Sequence, residues 1–269
     1  MRRNDKRVRR TRAGRGYVYY FGKHENEIVL NNTSSDTNDK RTSKKSNSNA
    51  YTERDLHILL SSYLWNDDTY SKTIFHVKSQ NSKDDHQKWV HPDMIGIRFL
   101  TLQNKSSNAL LKVINKSDAF DIISYELKRA IRSDYDLKKC FFQAVSNSSW
   151  ANHGFLVAFE ISDNVLDEMA RLSQSFGIGI IQLGANPFES QVLFPSRHHD
   201  LDFKTIDKLC QINQDFAKFI AQTEMVLAAD EKYVKAARKE FESFCDPYFK
   251  TDSDIKKYCE KRNIPYAKS

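Results

Sequence analysis

Asp93, Glu126 and Lys128 have the types and the order for carboxylate and amine chemistry on a bound cation. Glu126 and Lys128 flank Leu127 at the end of an apolar run, Phe120-Asp121-Ile122-Ile123-Ser124. Side chains alternate along a strand, so Glu126 and Lys128 share one face and Leu127 takes the other. Alone, a Glu-x-Lys at a strand end is ordinarily a solvated charge pair. A second carboxylate beside it would make it half of a metal site. Asp93 is the candidate, at the head of the apolar run Met94-Ile95-Gly96-Ile97-Arg98-Phe99. Two neighbouring carboxylates are costly unless a cation lies between them. Mg²⁺ is the natural cation, with Mn²⁺ as the alternative, because it takes hard oxygen ligands at about 2.0–2.1 Å and keeps waters. The backbone carbonyl of Leu127 is available as a third ligand. Lys128 would then hold or polarise the attacking water, or stabilise charge on a scissile phosphate, with the metal as Lewis acid and water activator.

The elements that must position these residues are legible from residue 51 onward. Thr52 is a good N-cap, and Leu56, Leu59, Leu60, Tyr63 and Leu64 recur at helical spacing, predicting a helix over 52–65. Glu53 lies in its first turn, where the helix dipole alone accounts for a carboxylate. Strands are expected over 71–79 and 93–99, with Pro92 suiting a strand start and Gly96 marking a bulge or bend. A third strand covers 120–128. A helix over 136–149 follows, with Gln143 at the border of its apolar face. The run 154–159 reads as a strand buried on both faces, 164–176 as an amphipathic helix capped by Asp163, and 177–183 as another buried strand. That strand–helix–strand order predicts a parallel pair. Residues 191–194 add an edge strand. The pattern predicts an α/β fold, a mixed sheet flanked by helices. A single helical stripe from Phe203 to about 227 and two shorter helices, 231–243 and 252–261, form a C-terminal helical annex. The expected divisions are 1–50, 51–200 and 201–269.

Other features have two readings. Trp150 suits either base stacking or the core. The polar stretch Ser146-Asn147-Ser148-Ser149 is either the rim of a site or a helix cap. His198-His199-Asp200 lacks a third spaced metal ligand. Gly177-x-Gly179 lies inside a strand and lacks the helix a phosphate-binding loop requires.

The chain has 269 residues, a net charge of +7 and 39% apolar residues. Residues 1–16 hold eight Lys and Arg against Asp5 alone, a net +7 equal to that of the whole chain. The body is therefore neutral in sum. The arm has no apolar periodicity and is expected to be disordered alone. Its arginines, Arg2, Arg3, Arg7, Arg9, Arg10 and Arg12, are candidates for neutralising nucleic-acid phosphates. Gly16 to Gly22 reads as one short strand in need of a partner, and Asn31 to Ala50 as a polar linker. The four cysteines have no paired spacing, which suits a reducing, cytoplasmic setting. No apolar run approaches the ~20 residues of a membrane span, and no signal peptide is expected.

Pro92-Asp93, a spacer and then Glu126-Leu127-Lys128 resembles the signature of the PD-(D/E)XK nuclease superfamily. The wider runs KWVHPDMIGI, ISYELKRAI, FFQAVSNSSWANHGFLVAFEIS and LSQSFGIGIIQL resemble bacterial HrgA-type restriction-endonuclease-like proteins over residues 50–195. The resemblance implies a restriction-endonuclease-like fold and a Mg²⁺-dependent endonuclease of a restriction or anti-phage defence system. By the same resemblance, Asp93 and Glu126 are metal ligands, Lys128 is the catalytic lysine, and Glu53 and Gln143 are supporting residues. DNA is the expected substrate, with RNA an alternative, and a homodimer or partner subunits the expected assembly. Members of that group often carry an N-terminal winged helix-turn-helix. Here only Arg15 to Gly22 is similar to the last strand of such a wing, so a shortened member or a fragment is expected. The alternative function is a catalytically silent binding protein on the same fold.

Overall fold

The computed structural model describes residues 8–13, 16–21, 51–75, 91–100, 104, 106–107, 110, 119–230 and 232–266. The chain divides into two compact units, Met1–Ser48 and Asn49–Ser269. In the first, strand β1 (Val8–Ala13) pairs antiparallel with β2 (Gly16–Phe21), opposing Arg9 to Tyr20, Arg10 to Tyr19 and Arg12 to Tyr17. This corrects the expectation of a wholly disordered arm. The aromatic strand finds its partner in the basic segment before it. Arg2, Arg3, Arg7 and the linker 31–50 lie outside the described residues.

The second unit is an α/β body built on one six-stranded mixed sheet, in the order β3 (Thr69–Thr73), β4 (Met94–Phe99), β5 (Phe120–Ile131), β6 (His153–Ile161), β7 (Gly179–Gln182) and β8 (Gln191–Phe194). The pairs β3–β4, β4–β5 and β7–β8 are antiparallel, whereas β5–β6 and β6–β7 are parallel. The parallel pair expected from the strand–helix–strand order is therefore present. Alternation along the strands assigns the two faces. One face carries Met94, Ile123, Tyr125, Leu127, Val157 and Ile181, packed against α1 (His57–Asn66) and residues of the C-terminal end, including Ile255 and Cys259. The other face carries two separate apolar clusters. Ile95, Ile97, Phe99 and Ile122 pack with Phe216, Phe219 and Phe241, whereas Leu156, Ala158 and Ile180 pack with Leu137, Phe141 and Met169. Ser124, Glu126 and Lys128 occupy the strip between those clusters.

Helices α2 (Asp134–Ser148) and α3 (Leu166–Phe176) lie near their expected places. The helix expected from residue 136 begins at Asp134, and Ser133 caps it, accepting from the Asp136 backbone N–H. A 3₁₀ turn, Asp163–Val165, precedes α3, and its N-cap is Ser162 rather than Asp163. The single stripe expected from residue 203 is two helices, α4 (Phe203–Ile212) and α5 (Gln214–Ala228). Asn213 breaks it: its backbone is extended, its side-chain oxygen caps α5 at Asp215 and Phe216, and its amide donates to the Phe75 carbonyl. Helices α6 (Val234–Phe244) and α7 (Asp252–Arg262) follow. Gly96 is not at a bulge, because the register runs through it without a break. A Cβ there would lie 2.8 Å from Cε2 of the Tyr125 ring, so the glycine makes room for that side chain.

The helical C-terminus shares the core of the sheet and belongs to the same unit, so the division expected at residue 200 does not separate compact bodies. The segment after α6 also closes the edge of the sheet. Asp246 N–H donates to the Ser71 carbonyl, the Thr73 N–H donates to the Asp246 carboxylate at 2.6 Å, and Lys72 Nζ donates to the Phe244 carbonyl at 2.6 Å. An uncovered edge strand would leave these groups unpaired. Replacing Asp246 with Ala strands the Thr73 donors and removes the carboxylate 3.5 Å from Lys72 Nζ, which keeps its bond to the Phe244 carbonyl. The expected loss is about 2 kcal/mol of unfolding free energy in urea, since hydrogen bonds to charged groups contribute about 1.5–3 kcal/mol. Asp246→Asn should recover part of it.

Candidate active site

The antiparallel ladder between β4 and β5 ends at Met94 and Tyr125, while β5 continues to Ile131 beside β6. This step creates the site. Asp93, one residue before β4, turns its carboxylate onto the freed edge of β5, where Oδ2 accepts from the Leu127 backbone N–H at 2.9 Å. A strand residue points its N–H and C=O to the same side, so the Leu127 carbonyl faces that edge as well. Pro92 has no N–H to return to it.

Lys128 gathers the acids. Its Nζ donates to Glu126 Oε1 at 2.6 Å and lies 3.7 Å from Asp93 Oδ2 and 3.9 Å from Glu53 Oε1. Glu126 is buried, 1% exposed, whereas Lys128, Asp93 and Glu53 become progressively more open to solvent. Glu53 arrives from the 3₁₀ turn Glu53–Leu56, which leads into α1. That turn is fixed by Asp55, whose carboxylate accepts from both the N–H and the hydroxyl of Thr52. Upstream, Arg129 donates to the Tyr51 carbonyl, and the Tyr51 hydroxyl donates to Glu160. The acids therefore come from three elements, with Lys128 between them.

Burial pushes the Glu126 carboxyl above its ordinary range, and the charge of Asp93 adds to the push. Lys128 and the Asn147 amide oppose it. Burial alone would pull the Lys128 ammonium down, but Asp93, Glu126 and Glu53 outweigh it and raise the pKa. Glu53 is raised, first by burial, with Lys128 opposing and Asp93 adding to it.

The structure thus brings together Asp93, Glu126, Lys128 and Glu53. Gln143 is half-buried on α2, and among the described residues no hydrogen bond joins it to these acids. The residue that does reach them is Asn147, one helical turn further on. Its Nδ2 donates to Glu126 Oε2 at 2.9 Å, and its Oδ1 is buried without a partner among the described residues. Trp150 is in the core: its indole N–H donates to the Asn147 carbonyl at 2.7 Å, and its ring packs edge-on against Phe216. Asn152 donates to the His199 carbonyl and contacts His198 Nε2, so this segment is tied to the fold.

Among the described residues no three His, Cys, Asp or Glu side chains form a ready-made metal cluster. The central place is taken by the Lys128 ammonium. The donors beside it, the carboxylates of Asp93 and Glu126 and the Leu127 carbonyl, are the hard oxygens that suit Mg²⁺. The Asn147 oxygen, without a partner among the described residues, is a further polar atom at this site. Comparison of the chain with protein-family models, curated proteins and solved structures finds no match to any of them.

A carboxyl whose folded pKa lies above the ordinary 4.5 contributes stability fully below 4.5 and loses it as pH rises through the raised value. In EDTA, the metal-free protein should therefore lose stability as pH rises from about 5 to about 8. Glu126→Gln, which fixes the neutral form, should flatten that slope and match or exceed the wild type at the upper end. Urea denaturation at a series of pH values measures both.

Proposed function

We propose that the unit Asn49–Ser269 is a divalent-metal-dependent nuclease that hydrolyses phosphodiester bonds in DNA. The observation that carries this reading is the junction of Glu53, Asp93 and Glu126 around Lys128, at the step where β5 outruns β4. The restriction-endonuclease-like character of the fold belongs to the same proposal, as do a cytoplasmic setting and a role as effector in restriction or anti-phage defence. Among the described residues no helix is long and apolar enough to cross a membrane.

Asp93 and Glu126, with the Leu127 carbonyl and Glu53 beside them, would hold Mg²⁺ or Mn²⁺. When bound, the cation supplies Lewis-acid polarisation of the phosphate and lowers the pKa of the attacking water. The chain's own groups do the rest. Asp93 fixes the β5 edge through Leu127, so the acids stay in register with the strand. Lys128 keeps its charge and sets it against the negative charge that builds on the phosphate. Glu53, raised in pKa and the most open of the three acids, is placed to accept a proton from the entering water. The basic segment 1–16 adds sequence-independent attraction to the phosphate backbone.

Glu126→Ala and Lys128→Ala should each lower divalent-dependent cleavage at least ~100-fold, the scale of losing one preorganised electrostatic group. Circular dichroism should show the fold intact. Plasmid, linear duplex and single-stranded DNA, with an RNA arm, form the substrate panel. Cleavage undiminished in both variants would sink the nuclease reading.

One observation favours a second reading: Lys128 already sits among the acids, with no ready-made metal cluster among the described residues. A catalytically silent binding protein would show no heat of Mn²⁺ binding. It would also show a steep salt dependence of DNA affinity that disappears when residues 1–16 are deleted.

A further inference from the structure

We propose that Asn147 is a positioning residue that holds Glu126 for the divalent cation, an inference resting on the metal-dependent reading above. Asn147 is 1% exposed in the last turn of α2. Two parts of it do two different jobs. Its backbone carbonyl accepts from Trp150 Nε1 at 2.7 Å and from Ser124 Oγ at 3.0 Å, which ties the helix end to β5 and to the core. Its side chain takes no part in those bonds. The carboxamide turns instead to the acids, with Nδ2 on Glu126 Oε2 at 2.9 Å.

That single bond sets the plane of the Glu126 carboxylate. With Oε2 held by Asn147, Oε1 is the oxygen left to face Lys128. A neutral amide achieves this without adding charge, where an aspartate would place one more negative group beside the existing acids. The other end of the amide is the telling feature. Asn147 Oδ1 is buried with no hydrogen-bond partner among the described residues. Buried polar atoms are nearly always paired, and an exception calls for an explanation, of which a water or an ion is one. Mg²⁺ retains waters when it binds carboxylates. An acceptor on the same amide that grips Glu126 is placed for a donor arriving with the hydrated ion. Outer partners of ligating carboxylates orient the ligand in this way, and their loss typically weakens metal binding 10–100-fold.

The experiment is titration calorimetry of Mn²⁺ into the full chain, as wild type, Asn147→Ala and Glu126→Ala, with urea denaturation of each in EDTA. Asn147→Ala is expected to bind Mn²⁺ about 10–100-fold more weakly. Its denaturation midpoint in EDTA should fall only by the loss of the one bond to Glu126, because the two backbone bonds remain. Asn147→Ser, too short to reach Glu126, carries the same expectation should the alanine variant fail to fold. A lowered midpoint with unchanged Mn²⁺ affinity would make Asn147 merely structural and overturn the inference. Equal affinity in wild type and Asn147→Ala, with binding lost in Glu126→Ala, overturns it too and leaves the metal-dependent reading standing. A wild type that binds no Mn²⁺ overturns both.

Discussion

The second unit depends on keeping one ammonium among three carboxylates at the margin of its core. A buried ion pair costs desolvation that its own attraction repays only when geometry and further hydrogen bonds are good. Here Glu126 is the deepest charge; Asp93 adds to that cost, and two partners limit it. Lys128 sits at 2.6 Å on one oxygen and Asn147 at 2.9 Å on the other. Ser124, two residues earlier on the same face, satisfies the helix end instead of adding apolar surface. The polar strip survives because the apolar material on that face is split into two clusters, one on each side of it.

The same constraint explains the sheet. A one-residue slip of β5 would put Glu126 and Lys128 among Leu59 and Val157 and turn Leu127 out to the acids. Register is therefore pinned on both sides. On one side, the Tyr125 ring fills the space over Gly96 and stacks on Phe155. On the other, Asp93 takes over the Leu127 N–H where the ladder stops. Asp93 is thus both a charge in the cluster and a structural cap, which ties the position of the acid to the pairing of the strands.

Much of this was legible because it is periodic. Alternation in 120–128 put Glu126 and Lys128 on one face, and the apolar runs of β6 and β7 announced buried parallel strands. What escaped is non-local. Asn147 meets Glu126 across 21 positions in sequence, and only the cap at Ser133 and the length of α2 decide which residue of that helix reaches β5. Gln143 was the more conspicuous amide, yet it stops one turn short. The break at Asn213 was hidden because the apolar stripe runs on through it, and only its distant partner, the Phe75 carbonyl, shows why the chain bends there. The hairpin in the basic arm was missed because β1 has no apolar pattern of its own; its pairing comes from its neighbour.

The charges themselves complete the argument. Three carboxylates face one ammonium, so the cluster carries excess negative charge whenever all are ionised. Burial first, and then the charge of Asp93, drives Glu126, the most buried of them, toward its neutral form. A second monovalent cation would not balance the excess. Under the reading proposed here, a divalent ion would. Glu126 would then give up its proton as the ion bound, because metal ligation requires the ionised carboxylate. Asn147 fits both conditions of the cluster: its amide steadies Glu126 beside Lys128, and under the same reading its buried oxygen would meet a donor that comes with the divalent ion.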